Sequence, residues 1–245
     1  MSNVLSHIIE QKNRGKKILA VLIDPDKTSH LPQLLEIART DPPDLFLFGG
    51  SGNIINFEEK LKELRSSTNV PVVIFPGNNA QISKNADGIL LLSLLSGRNP
   101  DHLIGQHVNA AFALEASGLE IIPTGYILID GGKKSTTATL TGTSHLDHDD
   151  VRLISSTALA GQQLGMKMIY LEAGSGAPNP LPVQLISQIR KTISVPLIAG
   201  GGIKSAEEIT ERFDAGADFI VVGNILEHKP ALLTKFVSAT TARAL

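Results

Sequence analysis

Short apolar runs, Leu-rich or β-branched, recur along the whole chain, and each is closed by Gly, Pro, Asp or Asn. They fall at residues 18–23, 45–48, 70–75, 88–92, 120–124, 167–171, 195–199 and 219–222, and predict eight strands. The runs are continuous rather than alternating, the pattern of strands buried on both faces. Between most of them, residues 31–40, 58–67, 101–117, 150–164, 183–192 and 206–215 place apolar side chains at helical spacing. Ser205-Ala-Glu-Glu208 adds a capping box, with Ser205 as N-cap and Glu208 three positions on.

Eight such alternations in 245 residues predict an α/β fold, a (β/α)8 TIM barrel in a single domain over residues 1–245. A doubly wound open sheet is the alternative, but it has fewer strands at this length and a glycine fingerprint after its first strand. Here the first strand ends in Asp24-Pro-Asp26 and the glycines come late. Two intervals are irregular. Residues 76–87 are too polar and too few for a full barrel helix, so the third helix is expected to be reduced or missing. Residues 125–166 are unusually many, and their first part, from Tyr126 to Thr139, reads as a long active-site loop ahead of the helix near Asp150.

Composition narrows the function. There are 22 basic and 24 acidic side chains, a formal charge of −2, which argues against a nucleic-acid binder that needs a basic face. Aromatics make up 4%, with no Trp, so base-stacking platforms are scarce too. No Cys is present, which excludes disulfides, thiolate chemistry and thiolate-held metals without fixing the compartment. The first ten residues lack a continuous apolar stretch and are not expected to act as a signal peptide. The most apolar run, Ile89-Leu-Leu-Leu-Ser-Leu-Leu95, is far below the roughly 20 residues of a membrane helix. A cytoplasmic protein is the expectation.

In such a barrel the chemistry sits where strands end and βα loops begin. Strand seven ends Ala199-Gly-Gly-Gly-Ile-Lys-Ser205 and strand eight ends Val222-Gly-Asn224. Glycines before a helix let backbone N–H groups approach an anion, so these two ends predict a phosphate site; a tight turn is the plainer reading. Strand six ends Tyr170-Leu-Glu-Ala-Gly-Ser-Gly176, where Tyr170 and Glu172 share parity and Glu172 is placed like a general base. Its plainer role is a structural ion pair. Strand one ends Ile23-Asp-Pro-Asp-Lys27, with Asp24 on the inward parity of Ala20 and Leu22. Strand two ends Gly49-Gly-Ser51. Asp24 and the Ser51 hydroxyl are hard oxygen donors, sufficient for Mg²⁺ that also takes substrate phosphates. Asp26 also suits a helix cap, and Lys27 either neutralises phosphate or faces solvent.

Some features carry less. His145-Leu-Asp-His-Asp-Asp150 has the composition of a metal cluster, yet it precedes an amphipathic helix and reads as solvated N-terminal capping. Lys133-Lys134 could cover a diphosphate, although mobile loop lysines are the commoner case.

At these residues the sequence resembles the geranylgeranylglyceryl/heptaprenylglyceryl phosphate synthase family, its bacterial branch in particular. The matching segments are Leu22-Ile-Asp-Pro-Asp-Lys27, Phe48-Gly-Gly-Ser51, Tyr170-Leu-Glu-Ala-Gly-Ser-Gly-Ala-Pro178, Ala199-Gly-Gly-Gly-Ile-Lys-Ser205 and Val221-Val-Gly-Asn224. The glycine motifs are shared with many phosphate-binding barrels; the first and third segments together are specific. The resemblance implies a barrel without its third helix, and an enzyme that moves a polyprenyl group, geranylgeranyl or similar, from its diphosphate to the 3-hydroxyl of sn-glycerol 1-phosphate. It implies Mg²⁺ on Asp24 and Ser51, and glycerol phosphate on Tyr170, Leu171, Glu172, Ala173, Gly174, Ser175, Gly176, Gly201, Gly202, Gly223 and Asn224. Glu172 is the implied base, and the prenyl tail is placed in an apolar groove near Leu90–Leu95 and Ala110–Leu114. Homo-oligomers and a transient membrane contact for the lipid substrate are further implied, without a transmembrane segment. The alternatives are another phosphate barrel, of the indole-glycerol-phosphate or thiamin-phosphate synthase type, and a catalytically silent binding or assembly barrel.

Overall fold

Val21 lies in register with Phe46 on one side and with Val222 on the other, so the first strand meets the last and the sheet closes. The structure, a computed structural model, describes residues 3–50, 52 and 54–242. Among these, eight parallel strands follow one another around a closed barrel: β1 (Ile18–Ile23), β2 (Leu45–Phe48), β3 (Val72–Ile74), β4 (Gly88–Leu94), β5 (Glu120–Leu128), β6 (Met168–Glu172), β7 (Leu197–Gly200) and β8 (Phe219–Val222). The outer ring holds α2 (Leu31–Ala38), α3 (Phe57–Ser67), α4 (Gln106–Ser117), α6 (Val151–Gln163), α7 (Val183–Thr192) and α8 (Ala206–Asp214). Four further helices are α1 (Val4–Asn13), α5 (Thr136–Thr141), α9 (Asn224–His228) and α10 (Leu232–Thr241). No described helix is long and apolar enough to cross a membrane.

Alternation along each strand divides the apolar side chains into two cores. Ile18, Ala20, Leu45, Leu47, Val73, Ile122, Met168, Tyr170, Ile198 and Phe219 fill the barrel interior. Leu19, Val21, Phe46, Phe48, Ile169, Leu171 and Ile220 point outward into the helix layer. The bottom of the barrel is closed by α1, whose Val4 and Ile8 join the inner core. Its first N–H groups, those of Val4 and Leu5, donate to the carboxylate of Glu120 at the start of β5. Three aspartates pin the strands at that end: Asp44, Asp87 and Asp218 accept from the Leu19, Val72 and Leu197 N–H groups at 2.8, 2.8 and 2.9 Å. Each stands just before one strand and holds the start of its neighbour.

No helix joins β3 to β4, as the short polar interval predicts. Residues 75–87 instead form turns fixed by the buried Gln81, which accepts from Gly77 N at 2.9 Å and donates to Gly52 O at 2.9 Å. That opens the outer ring on one side.

Strand five departs from expectation. It runs on to Leu128, so Tyr126 and Leu128 belong to the sheet and to the inner core, not to a loop. Gly125 does not stop it: a Cβ there would lie 2.7 Å from Leu95 Cδ1 and 2.8 Å from Ile169 Cδ1, so the glycine serves close packing inside the strand. The loop that follows is shorter than expected and contains α5. The remaining boundaries shift by a few residues, and the helix expected from residue 101 opens with a wide π-type turn, Asp101–Gly105, before α4.

Candidate active site

Three loops meet over the β6–β8 side of the barrel mouth. After β7, Gly201 and Gly202 adopt positive φ of 86° and 73°. Gly201 has to be glycine: a Cβ would stand 2.6 Å from both Glu172 Oε1 and Gly174 N. The turn leads into α8, where the Ser205 hydroxyl accepts from Glu208 N at 3.2 Å, the expected cap, while Glu208 accepts from Lys204 N. After β8, Gly223 directly precedes α9. Gly201, Gly202, Lys204, Gly223 and Asn224 line, together with Ser175 and Gly176, one small hollow, the cradle.

Glu172 sits at the floor of that hollow, 8% exposed at the last position of β6. Gly174 N donates to its Oε1 at 2.7 Å, and the Tyr170 hydroxyl donates to the same carboxylate. Burial raises the Glu172 pKa above the usual carboxylate value, and the two hydrogen bonds only partly offset this. Burial, followed by the nearby Glu172 charge, pushes the Tyr170 and Tyr126 hydroxyls well above 10.0. Both therefore stay protonated donors.

Next to the cradle lies a wider basin that shares Glu172, Ser175, Gly223 and Asn224 with it and adds the charged Asp24, Lys27 and Glu227. Asp24 Oδ1 accepts from Asp26 N at 3.0 Å, and Lys27 Nζ stands 3.1 Å from Asp24 Oδ2 and 3.7 Å from Glu227 Oε1. Burial works to lower the Lys27 pKa, but the two carboxylates outweigh it and the ammonium is raised. Gly50 faces Asp24, where a Cβ would come within 3.2 Å of Oδ1, so the missing side chain keeps the space before the carboxylate open.

A third region opens through the gap left by the missing helix. Phe75, Ile82, Leu92, Leu94, Ala110 and Leu114 line an apolar groove between the 75–87 turns and α4. It joins the basin at Gly50, Phe75, Tyr126 and Thr137, which line both. The rings of Phe75, Tyr126 and Tyr170 stand mutually tilted there, with centroids 5.1 to 5.8 Å apart.

Of the residues singled out in the sequence, Asp24, Tyr170, Glu172, Ser175, Gly176, Gly201, Gly202, Gly223 and Asn224 line these joined hollows, and Gly174 borders the basin. Leu171 and Ala173 do not face it: both side chains are fully buried in the outer core, leaving only their backbone on the strand and loop. Ser51 lies outside the described residues. Asp26 does not cap a helix; it accepts from Lys60 Nζ at 2.9 Å. Asp150 caps α6 through Leu153 N at 3.0 Å, as expected, whereas His145 is 3.0 Å from the buried Ser135 hydroxyl and is no solvated cap. Asp147, His148 and Asp149 gather at the surface, away from the basin. Sequence reasoning missed Phe75 and Glu227, and it placed Tyr126 and Thr137 in an active-site loop without giving either a role. Tyr126 carried a usable signal, since the chain has 2 Tyr in all and both lie two residues before a strand end.

Comparison with known proteins agrees with this geometry. A geranylgeranylglyceryl phosphate synthase of Spirosoma linguale is 46% identical over 233 residues, covering 94% of this chain and 93% of that protein. One of Pyrococcus abyssi is 37% identical over 233 residues, covering 93% and 91%. Among solved structures, (S)-3-O-geranylgeranylglyceryl phosphate synthase from Thermoplasma acidophilum, in complex with substrate sn-glycerol-1-phosphate, matches with a TM-score of 0.89 at 31% identity, covering 99% of this chain and 100% of that one. The signature of the PcrB family matches residues 8–241, so the chain belongs to the PcrB family.

Proposed function

We propose that the chain transfers a polyprenyl group from its diphosphate to the 3-hydroxyl of sn-glycerol 1-phosphate, giving an ether-linked polyprenylglyceryl phosphate and diphosphate. The observation that carries this reading is the junction of an anion cradle, a buried carboxylate and an apolar groove at one mouth. A barrel acting on a small phosphate ester alone has no use for the groove. The names of the relatives point the same way.

The backbone N–H groups of the β7 and β8 loops bind the phosphate. Tyr170 and Ser175 orient the glycerol, and Glu172 accepts the proton of the 3-hydroxyl as its oxygen bonds to the first prenyl carbon. The bond from that carbon to the diphosphate breaks, and the electron pair leaves with the diphosphate. Phe75 and Tyr126 wall the reacting carbon at the groove entrance and hold water away from it. The apolar tail lies along Leu92, Leu94, Ala110 and Leu114.

Asp24 is the donor this chain offers to Mg²⁺, joined by the Ser51 hydroxyl; a carboxylate and a hydroxyl are hard oxygens, and the open space at Gly50 suits an ion there. When bound, Mg²⁺ neutralises the charge that develops on the departing diphosphate. Lys27, held by Asp24 and Glu227, is a second cation on that side.

The test is turnover of labelled sn-glycerol 1-phosphate with prenyl diphosphates of several lengths, before and after chelation. The expected result is a chelator-sensitive ether product whose yield depends on tail length. No product with any diphosphate overturns the proposal.

A further inference from the structure

The cradle is lined by the loops after β6, β7 and β8, and the loop after β5 comes up beside its Gly176. That loop is fixed. Gly131 is buried, with Ala173 O 2.4 Å from where its Cβ would be, and its own carbonyl accepts from Asn179 N at 3.1 Å. Gly132 packs on Pro178, and its N–H donates to Asp130 Oδ1 at 2.8 Å. On the other flank, buried Ser135 caps α5 by accepting from Ala138 N at 3.1 Å. Lys133 is held between these two anchors.

Its side chain lines the neighbouring surface hollow with Asp130 and Asp147, and its ammonium comes close to Gly176 at the cradle's edge. At Gly176, φ +61°, a Cβ would lie 3.4 Å from Lys133 Nζ and 3.1 Å from Asn224 Oδ1. Glycine at this position tolerates the left-handed conformation of the turn. Lys27 is committed to Asp24 and Glu227, and Lys204 donates to Pro178 O at 2.7 Å. Among the described residues, Lys133 has no carboxylate within ion-pair distance. The one carboxylate in its own turn, Asp130, already accepts from Gly132.

We propose that Lys133 is a ligand of the glycerol phosphate's phosphoryl group, a cation from the fifth βα loop that closes the open side of the backbone cradle. The proposal rests on the function proposed above and adds the group that answers the dianion's charge. Backbone N–H groups satisfy an anion's geometry while carrying only partial charge; an ammonium supplies the remainder as a charge-assisted hydrogen bond.

The experiment compares Lys133→Met, which keeps the stem and removes the charge, with Lys133→Arg and with Lys134→Met as a neighbouring control. Steady-state kinetics are measured against each substrate, and inorganic phosphate is titrated calorimetrically into the metal-free protein. Lys133→Met is expected to raise KM for sn-glycerol 1-phosphate and to weaken phosphate binding, each by about tenfold. KM for the prenyl diphosphate and kcat stay within about twofold, the scale of an unperturbed surface substitution. Lys133→Arg restores most of the affinity, and Lys134→Met behaves as the parent. Unchanged phosphate affinity and unchanged KM for glycerol phosphate overturn the proposal, and so does a rise in KM confined to the diphosphate. If the parent protein forms no ether product, the proposed reaction fails, while the phosphate titration still decides the role of Lys133. Melting temperatures of the variants guard against a folding defect, which the exposure of this side chain makes small.

Discussion

Gly174 N donates to Glu172 Oε1 at 2.7 Å, so the loop leaving β6 turns back to hold the carboxylate that precedes it by two residues. Together with the Tyr170 hydroxyl this aims Glu172 at the mouth while leaving it buried. Glu172→Gln preserves shape and removes the base. Turnover is expected to fall by roughly 10²- to 10⁴-fold, with glycerol phosphate affinity nearly unchanged, as read by single-turnover kinetics and calorimetry. Near-normal turnover removes Glu172 from the mechanism.

The raised pKa of Glu172 fixes two pH dependences of opposite sign. The proposed base is the ionised carboxylate, so the acid limb of kcat/KM should inflect above the ordinary value of 4.5 and activity should fall as pH drops through it. Stability runs the other way. The folded chain binds this proton more tightly than the unfolded chain, so the contribution is full below the unfolded pKa and is lost as pH rises through the folded one. Glu172→Gln, neutral throughout, should therefore melt no lower than the parent at pH 7. A clearly lower melting temperature would contradict the burial argument.

Gly201 tests the cradle from the other side. Gly201→Ala places a Cβ 2.6 Å from Glu172 Oε1 and from Gly174 N, in a backbone conformation of φ +86° that alanine resists. The expected cost is about 1–3 kcal/mol of stability, read by denaturant titration. Displacement of the carboxylate should also lower kcat/KM by roughly a hundredfold. A variant that keeps parental activity would show that the cradle and Glu172 are independent.

The groove is tested at Ala110, a small side chain on its α4 wall. Ala110 lines the groove but not the basin, so it lies away from the reacting carbon. Ala110→Phe should lower kcat/KM for geranylgeranyl diphosphate by about tenfold or more while leaving a shorter prenyl diphosphate within about threefold. Equal losses with both substrates would place the tail elsewhere.

Much of this arrangement is legible in the amino-acid sequence. Continuous apolar runs disclosed all eight strands, because a strand covered on both faces has no polar side to show. The polar interval after β3 disclosed the missing helix. Glycines and a carboxylate at the ends of β6, β7 and β8 disclosed the cradle, since strand ends are where this architecture gathers loops. Tyr126 was not legible as part of the sheet: Gly125 looks like a breaker, and only the neighbouring Leu95 and Ile169 methyl groups explain the glycine. Phe75, Thr137 and Glu227 come from a turn, from α5 and from α9, and nothing local in the chain announces their meeting. Helix α1 was equally hidden, because its core-facing side is only Val4, Leu5 and Ile8 and its partner lies across the barrel.

That partner gives the last prediction. Glu120 accepts from Val4 N and Leu5 N, more than a hundred residues earlier in the chain, and so satisfies the free N–H groups at the start of the helix that closes the barrel floor. Glu120→Ala should cost about 1–2 kcal/mol, the scale of a lost N-terminal cap with its charge, and should speed amide exchange over α1 first. Glu120 stands at the opposite end of β5 from the mouth, so kcat and both KM values are expected to match the parent. Loss of turnover at a temperature where the variant remains folded would mean that floor and mouth are coupled through the inner core.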